Sequence, residues 1–96
     1  MRLYILFFLN FFLFSSISLS SEKKIILGLD WFINPDHAPI ILADKYGYFN
    51  DEDLKVKIIE PADPNDPPKQ VAAGKIDIAI SYQPQFHLQI DQNLPI

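Results

Sequence analysis

A parallel α/β sheet with strand order 2-1-3 and flanking helices is the fold this sequence predicts. Three observations support it. Ile25–Leu29 is an almost unbroken apolar run, as in a strand covered on both faces. Leu54, Val56 and Ile58 alternate with Lys55 and Lys57, as in a half-exposed strand at a sheet edge. Helix-length segments ending in glycine or asparagine follow each apolar run, so the chain reads β-α-β-α-β-α. Crossovers of this kind join parallel strands with a right-handed sense. With the second strand at the edge, the first and third are neighbours and their connections leave on opposite faces. Ligands of open α/β sheets lodge in the crevice outside such a point, at the carboxyl ends of the strands.

The leading residues stand apart from this pattern. Met1–Ser20 has one basic residue, Arg2, then an apolar stretch from Leu3 to Phe14 broken only by Asn10. Ser18-Leu19-Ser20 then supplies a small-x-small cleavage pattern. This is the signature of a secretory signal peptide, with an apolar stretch short of the ~20 residues a membrane span needs. Cleavage leaves residues 21–96, with no stable membrane insertion. The chain has no cysteine, so an exported form carries neither disulfides nor a lipidated cysteine. Its formal charge is −4, and −5 without Arg2, which disfavours nucleic acid and anionic membrane surfaces as partners.

The first strand is expected over Ile25–Asp30. Asp36 is a candidate cap for the helix that follows, and Pro39 is tolerable in its first turn. Ala38, Ile41, Leu42 and Tyr46 share one face of that helix, and Gly47 supplies a left-handed stop. After the second strand, Pro61–Pro68 holds four prolines in eight residues and reads as a rigid loop. It ends with Asp66 as cap and Pro67 at the first position of a helix running to Ala73, closed by Gly74. In the third strand Ile76, Ile78 and Ile80 face one way and Asp77, Ala79 and Ser81 the other. Pro84 opens a third helix with Phe86 and Ile90 one turn apart, Asn93 ends it, and Leu94-Pro95-Ile96 resembles the start of a fourth strand.

Two strand ends meet at the switch point. The first delivers Asp30 and Trp31, followed by Asn34 and His37; the third delivers Ser81, Tyr82 and Gln83. Two aromatic rings with amide and carboxylate groups around them suit a planar heterocycle. Packing of Trp31 and Tyr82 into a satellite core is the plainer alternative. His37 reads as a helix-start or packing residue rather than a base, and His87 as a surface residue. Neither Asp30, Asp36 and His37 nor Asp63, Asn65 and Asp66 has a metal-ligand spacing, and the second group lacks the glycine and terminal glutamate of a calcium loop. With only Gly28, Gly47 and Gly74 there is no phosphate-cradling loop, and Ser81 lacks the glycines of a nucleophile elbow.

Five stretches together resemble one family. They are L-D-W-F-x-N-P-D-H-A-P (Leu29–Pro39), K-Y-G-Y-F (Lys45–Phe49), E-P-A-D-P-N-D-P-P-K (Glu60–Lys69), V-A-A-G-K-I-D-I-A-I-S-Y-Q-P-Q (Val71–Gln85) and the closing L-P-I. The family is that of periplasmic solute-binding proteins of ABC transporters that import pyrimidine precursors of thiamine, in a superfamily shared with thiamine-pyrimidine synthases. The resemblance implies a type II periplasmic-binding-protein fold, in which two α/β lobes close on a formylaminopyrimidine or hydroxymethylpyrimidine. It also implies an inner-membrane ABC permease as partner, a periplasmic location, no cofactor and no catalysis. By motif, Asp30, Trp31, Asn34 and Tyr82 are the expected ligand contacts, with Gln83 beside them.

The synthase branch holds pyridoxal phosphate with a lysine just after the third strand and a histidine one turn on. Here those positions are Ser81 and Gln85, and His87 is two residues out of register. A synthase-like enzyme and the sensing domain of a receptor are the alternatives to transport. Family members run well beyond this length, so residues 21–96 are expected to be part of an N-terminal lobe, about the first third of the whole. Such a fragment alone is expected to bind poorly.

Overall fold

A computed structural model describes residues 21–96; the expected signal peptide, residues 1–20, lies outside the described residues. Three parallel strands form one sheet in the order β2-β1-β3, where β1 is Lys23–Gly28, β2 is Leu54–Ile59 and β3 is Ile78–Ala79. Between β1 and β2 lie a 3₁₀ turn over Pro35–His37 and helices α1 (Ala38–Lys45) and α2 (Tyr48–Asp51). Helix α3 (Asp66–Ala72) joins β2 to β3, and α4 (Gln83–Asp91) follows β3. The α/β class, the parallel sheet and the 2-1-3 order are therefore as the sequence predicts. No helix among the described residues is long and apolar enough to cross a membrane.

Several boundaries differ, each for a local reason. Strand β1 begins at Lys23 rather than Ile25, because backbone pairing with Leu54 reaches past the apolar run. It ends at Gly28, and Leu29 makes a last bond to the Ile59 carbonyl at 2.9 Å. The expected third strand over Ile76–Ser81 is only two residues long. Ile76 is buried but Ile78 is 47% exposed, so the three isoleucines do not share one covered face. The reason is that Ile76 precedes the strand and packs over Gly28, where a Cβ would meet Ile76 Cδ1 at 2.8 Å and Pro67 Cβ at 3.1 Å.

Asp36 is not the cap of the first helical segment. Asn34 takes that role: its Oδ1 accepts the Asp36 N–H at 2.9 Å, while His37 Nδ1 accepts the Asn34 N–H at 3.3 Å. This is a reciprocal capping box with histidine in the place usually held by glutamate or glutamine. The 3₁₀ turn has fewer residues per turn than an α-helix and shifts the phase of α1. Ile40, Ile41 and Ala43 are half-buried in consequence, whereas Ala38, Leu42 and Tyr46, expected inward, are exposed. Gly47, at φ 79°, closes α1 as expected and also opens α2, which the sequence reading did not include.

Asp66 caps nothing; it is the first residue of α3, and Asn65 before it makes no side-chain cap. A cap accepts from the second or third N–H of a helix. In α3 those positions are Pro67 and Pro68, which have no N–H to give. The loop is braced instead by Asp63, whose Oδ1 accepts the Asn65 N–H at 2.8 Å and the Asn65 amide at 2.9 Å. Pro67 and Pro68 are buried, and with Leu29, Ile76 and Gly28 they form the tight centre of the described residues.

In α4 the buried residue is Gln89, while Phe86 and Ile90, expected to pack, are 39% and 44% exposed. Asn93 ends that segment in the left-handed conformation at φ 59°. Leu94–Ile96 forms no strand; the Ile96 N–H turns back to the Leu94 carbonyl at 2.9 Å.

The contact around Gly28 yields a test. Gly28→Ala should destabilise the protein by about 1–3 kcal/mol through overpacking against a proline ring that cannot change rotamer. Urea unfolding measures this, and a neutral result would show that Ile76 and Pro67 move apart freely.

Candidate functional site

Strands β1 and β3 pair at Leu27↔Ile78 and Gly28↔Ala79, and the Ile80 N–H bonds the Gly28 carbonyl at 2.9 Å. Their carboxyl ends therefore emerge side by side, with Asp30-Trp31 on one and Ser81-Tyr82 on the other. The register is held by Asp77 just before β3. Its N–H donates to the Ile26 carbonyl at 3.0 Å, and its Oδ2 accepts the Ile26 N–H at 2.8 Å.

Asp30 is the buried polar group of the site, at 8% exposure. Its Oδ1 lies 2.6 Å from Nε2 of His37, a residue 2% exposed. Because His37 Nδ1 accepts from Asn34, the ring proton lies on Nε2 and is donated to Asp30. The Tyr82 phenol, from the neighbouring strand end, stands near the same carboxylate. Burial pushes the Asp30 carboxyl up, but the bond from His37, with the Tyr82 phenol nearby, outweighs it and holds the group below its ordinary value. Interaction with the nearby Asp30 carboxylate raises the Tyr82 phenol above its usual value.

Trp31 and Tyr82 are 48% and 55% exposed, so neither ring is sealed in a core. Phe32 is more exposed still and meets the Trp31 indole edge-to-face, with centroids 5.6 Å apart at 78°. Asn34, half-buried, uses its amide within the loop: Nδ2 donates to the Phe32 carbonyl at 3.0 Å while Oδ1 caps the turn. Gln83 is exposed at the start of α4. Gln85, further along, bonds Asn65 of the proline-rich loop. The Ser81 hydroxyl is buried without a partner.

The structure thus brings Asp30, Trp31 and Tyr82 to one edge, places Asn34 beneath the loop, and gives Gln83 no bonded partner in the site. The sequence reading missed the Asp30–His37 bond. Its available signal was histidine at the third position after an Asn-Pro cap. A cavity of about 280 Å³ lies beside Lys69 and Lys75, and one of about 170 Å³, lined by Val71, Ser81 and Phe86, adjoins the end of β3. The Trp31–Tyr82 edge is an open wall. Among the described residues no three His, Asp or Glu side chains converge as a metal site would require.

A parallel α/β unit with aromatic and polar groups at its switch point is of the class that binds small molecules. Residues 34–96 match the NMT1/THI5-like family, and the chain belongs to it. This family has a periplasmic-binding-protein-like fold. The chain is 53% identical over 76 residues to a protein of Haemophilus influenzae named for thiamine biosynthesis, covering 79% of this chain and 24% of that one. It is 41% identical over 68 residues to the formylaminopyrimidine-binding protein of Halalkalibacterium halodurans, covering 71% and 21%. It is 39% identical over 61 residues to the 4-amino-5-hydroxymethyl-2-methylpyrimidine phosphate synthase of Legionella pneumophila, covering 64% and 19%. The chain spans about a quarter or less of the length of these curated relatives.

The Asp30–His37 bond predicts a pH dependence. With its folded pKa below the ordinary 3.8, ionised Asp30 adds stability that is complete above that value. The contribution is lost as pH falls through the lower folded value. Asp63, lowered by the Asn65 N–H, acts in the same direction. His37→Ala leaves a buried carboxylate short of a donor, which should cost about 1–3 kcal/mol at neutral pH. It should also move acid unfolding to higher pH, as followed by circular dichroism. An unmoved acid limb would mean that Asp30 does not govern it.

Proposed function

We propose that residues 21–96 form one wall of a binding site for a pyrimidine precursor of thiamine. The parent role in this reading is that of a solute-binding protein delivering its ligand to an inner-membrane ABC permease. The observation that carries it is the presence of two exposed rings, Trp31 and Tyr82, just beyond the ends of neighbouring strands. A flat heterocycle against such rings gains about 0.5–1.5 kcal/mol per stacked pair beyond the area buried. Gln83, exposed beside Tyr82, is the amide available for orienting its ring nitrogens, whereas the Asn34 amide is engaged within the loop. The formylaminopyrimidine-binding relative supports the ligand class, and the signal-like pattern of residues 1–20 supports a periplasmic location.

The synthase reading draws on the Legionella relative. It is disfavoured by Ser81 and Gln85, which stand where the resemblance places the lysine and histidine. A hydroxyl forms no Schiff base with an aldehyde, and the Gln85 amide is already bonded to Asn65.

A single wall encloses a small ligand incompletely, so the full chain should bind formylaminopyrimidine with a Kd on the order of 1 mM. Ligand-observed NMR measures this. Trp31→Ala should weaken binding by about 1–3 kcal/mol. No binding, or binding indifferent to Trp31, would sink the proposal; submicromolar affinity would show that one wall suffices.

A further inference from the structure

The two edges of the sheet are built differently. Strand β2 forms one of them, and its exposed Lys55 and Lys57 are the kind of charge that keeps an open strand from pairing with another chain. Strand β3 forms the other and, as Ile78-Ala79, has no charge of its own. Ile78 is 47% exposed, with Phe86 and Ile96 each 39% exposed beside it around the cavity of about 170 Å³. Backbone groups are open there as well. Ala79 is the register partner of Gly28, whose carbonyl accepts the N–H of the next residue, Ile80. In a parallel ladder this turns the N–H and C=O of Ala79 itself away from β1 and towards the open edge.

We propose that this edge pairs with itself, joining two copies of the chain through β3 into one continuous sheet. The residues around it, Asp77-Ile78-Ala79-Ile80-Ser81, are nearly symmetric about Ala79. A two-fold axis at Ala79 sets the strands antiparallel. Ala79 and the partner's Ala79 then exchange both backbone bonds, as a hydrogen-bonded pair does. Ile78 lies opposite the partner's Ile80, and Asp77 opposite the partner's Ser81, each pair on one face of the sheet. Alanine at the axis keeps the centre of the pair free of bulk.

The polar pair is complementary. Asp77 spends Oδ2 on the Ile26 N–H, and Oδ1 remains to accept. The Ser81 hydroxyl is buried with no hydrogen-bond partner among the described residues, a rare condition in a folded protein. Turned about its χ1 it donates to the partner's Asp77, and the symmetry supplies that bond twice. The two Asp77 carboxylates sit at opposite ends of the paired segment, so like charges are kept apart. A contact of so few side chains is small for a permanent dimer, so the pair forms and separates with concentration.

Sedimentation velocity on the full chain tests this. The wild type should pass from monomer to dimer over about a hundredfold range of concentration, as mass action requires. Ala79→Pro removes the N–H that faces the open edge, a place where a strand tolerates proline. Ile78→Lys gives β3 the guard that β2 has. Each variant should keep the wild-type circular dichroism and weaken dimerisation by about tenfold or more, the scale of losing the exchanged bonds. Hydrogen exchange needs no variant: the Ala79 amide should exchange about tenfold more slowly at dimer concentrations, with the Ile80 amide, bonded to Gly28, as reference. An Ala79 amide that exchanges equally fast at every concentration overturns the inference, as does a dimer indifferent to both variants. A monomer throughout overturns it too, and leaves the edge to a strand of another protein.

Discussion

The architecture of this edge depends on one carboxylate out of water. Removing an ionised carboxylate from solvent is costly unless hydrogen bonds replace what water gave. Asp30 obtains one from His37, across the turn after β1, at 2.6 Å. The carboxylate therefore ties the loop after β1 to the start of the helical segment. The intervening Trp31, Phe32 and Ile33 are all largely exposed, an arrangement the loop tolerates because both its ends are fixed. Asn34 reinforces the far end by capping the turn and bonding back to the Phe32 carbonyl.

Behind that edge the structure is close-packed with little freedom to slide. A strand of two residues has few ladder bonds with which to define its own register, and a slip of one residue would turn Tyr82 to the opposite face. Asp77 counters this by grasping Ile26 through both its N–H and its carboxylate. Next to it, Gly28 admits Ile76 and the Pro67 ring so closely that no larger residue fits without displacement. The proline-rich loop contributes in the same way. Its last two prolines, Pro67 and Pro68, are buried rather than strung out as a linker, and Asp63 holds the turn that delivers them. Rigid support beneath an exposed, aromatic face is the arrangement expected where recognition relies on a preformed surface.

Much of this was legible in the sequence. The apolar runs marked the strands, the alternation at Leu54–Ile58 marked the edge, and Gly47, Gly74 and Asn93 each occupy the left-handed position their residue type favours. The adjacency of the strands that lead to Trp31 and to Tyr82 followed from the predicted strand order. What the sequence left obscure was the direction of individual hydrogen bonds. Asn34 and Asp36 are both good capping types, and only the histidine at 37 decides between them. Asp66 has a capping composition but is already the first residue of its helix, and the donors that the cap before it would serve fall on two prolines. The isoleucines of the third strand alternate as a strand should, yet the strand forms only where β1 has free backbone groups to meet it. Tertiary pairing, not periodicity, sets that boundary.

Trp31 is the one tryptophan in the sequence, and it stands half-exposed on the wall itself with Phe32 against its edge. Indole emission from this protein therefore originates at a single address. The spectrum of the unlabelled chain reports the polarity of that address and nothing of the remaining surface, so a molecule laid across the ring announces itself as a change in colour or intensity without any dye being attached.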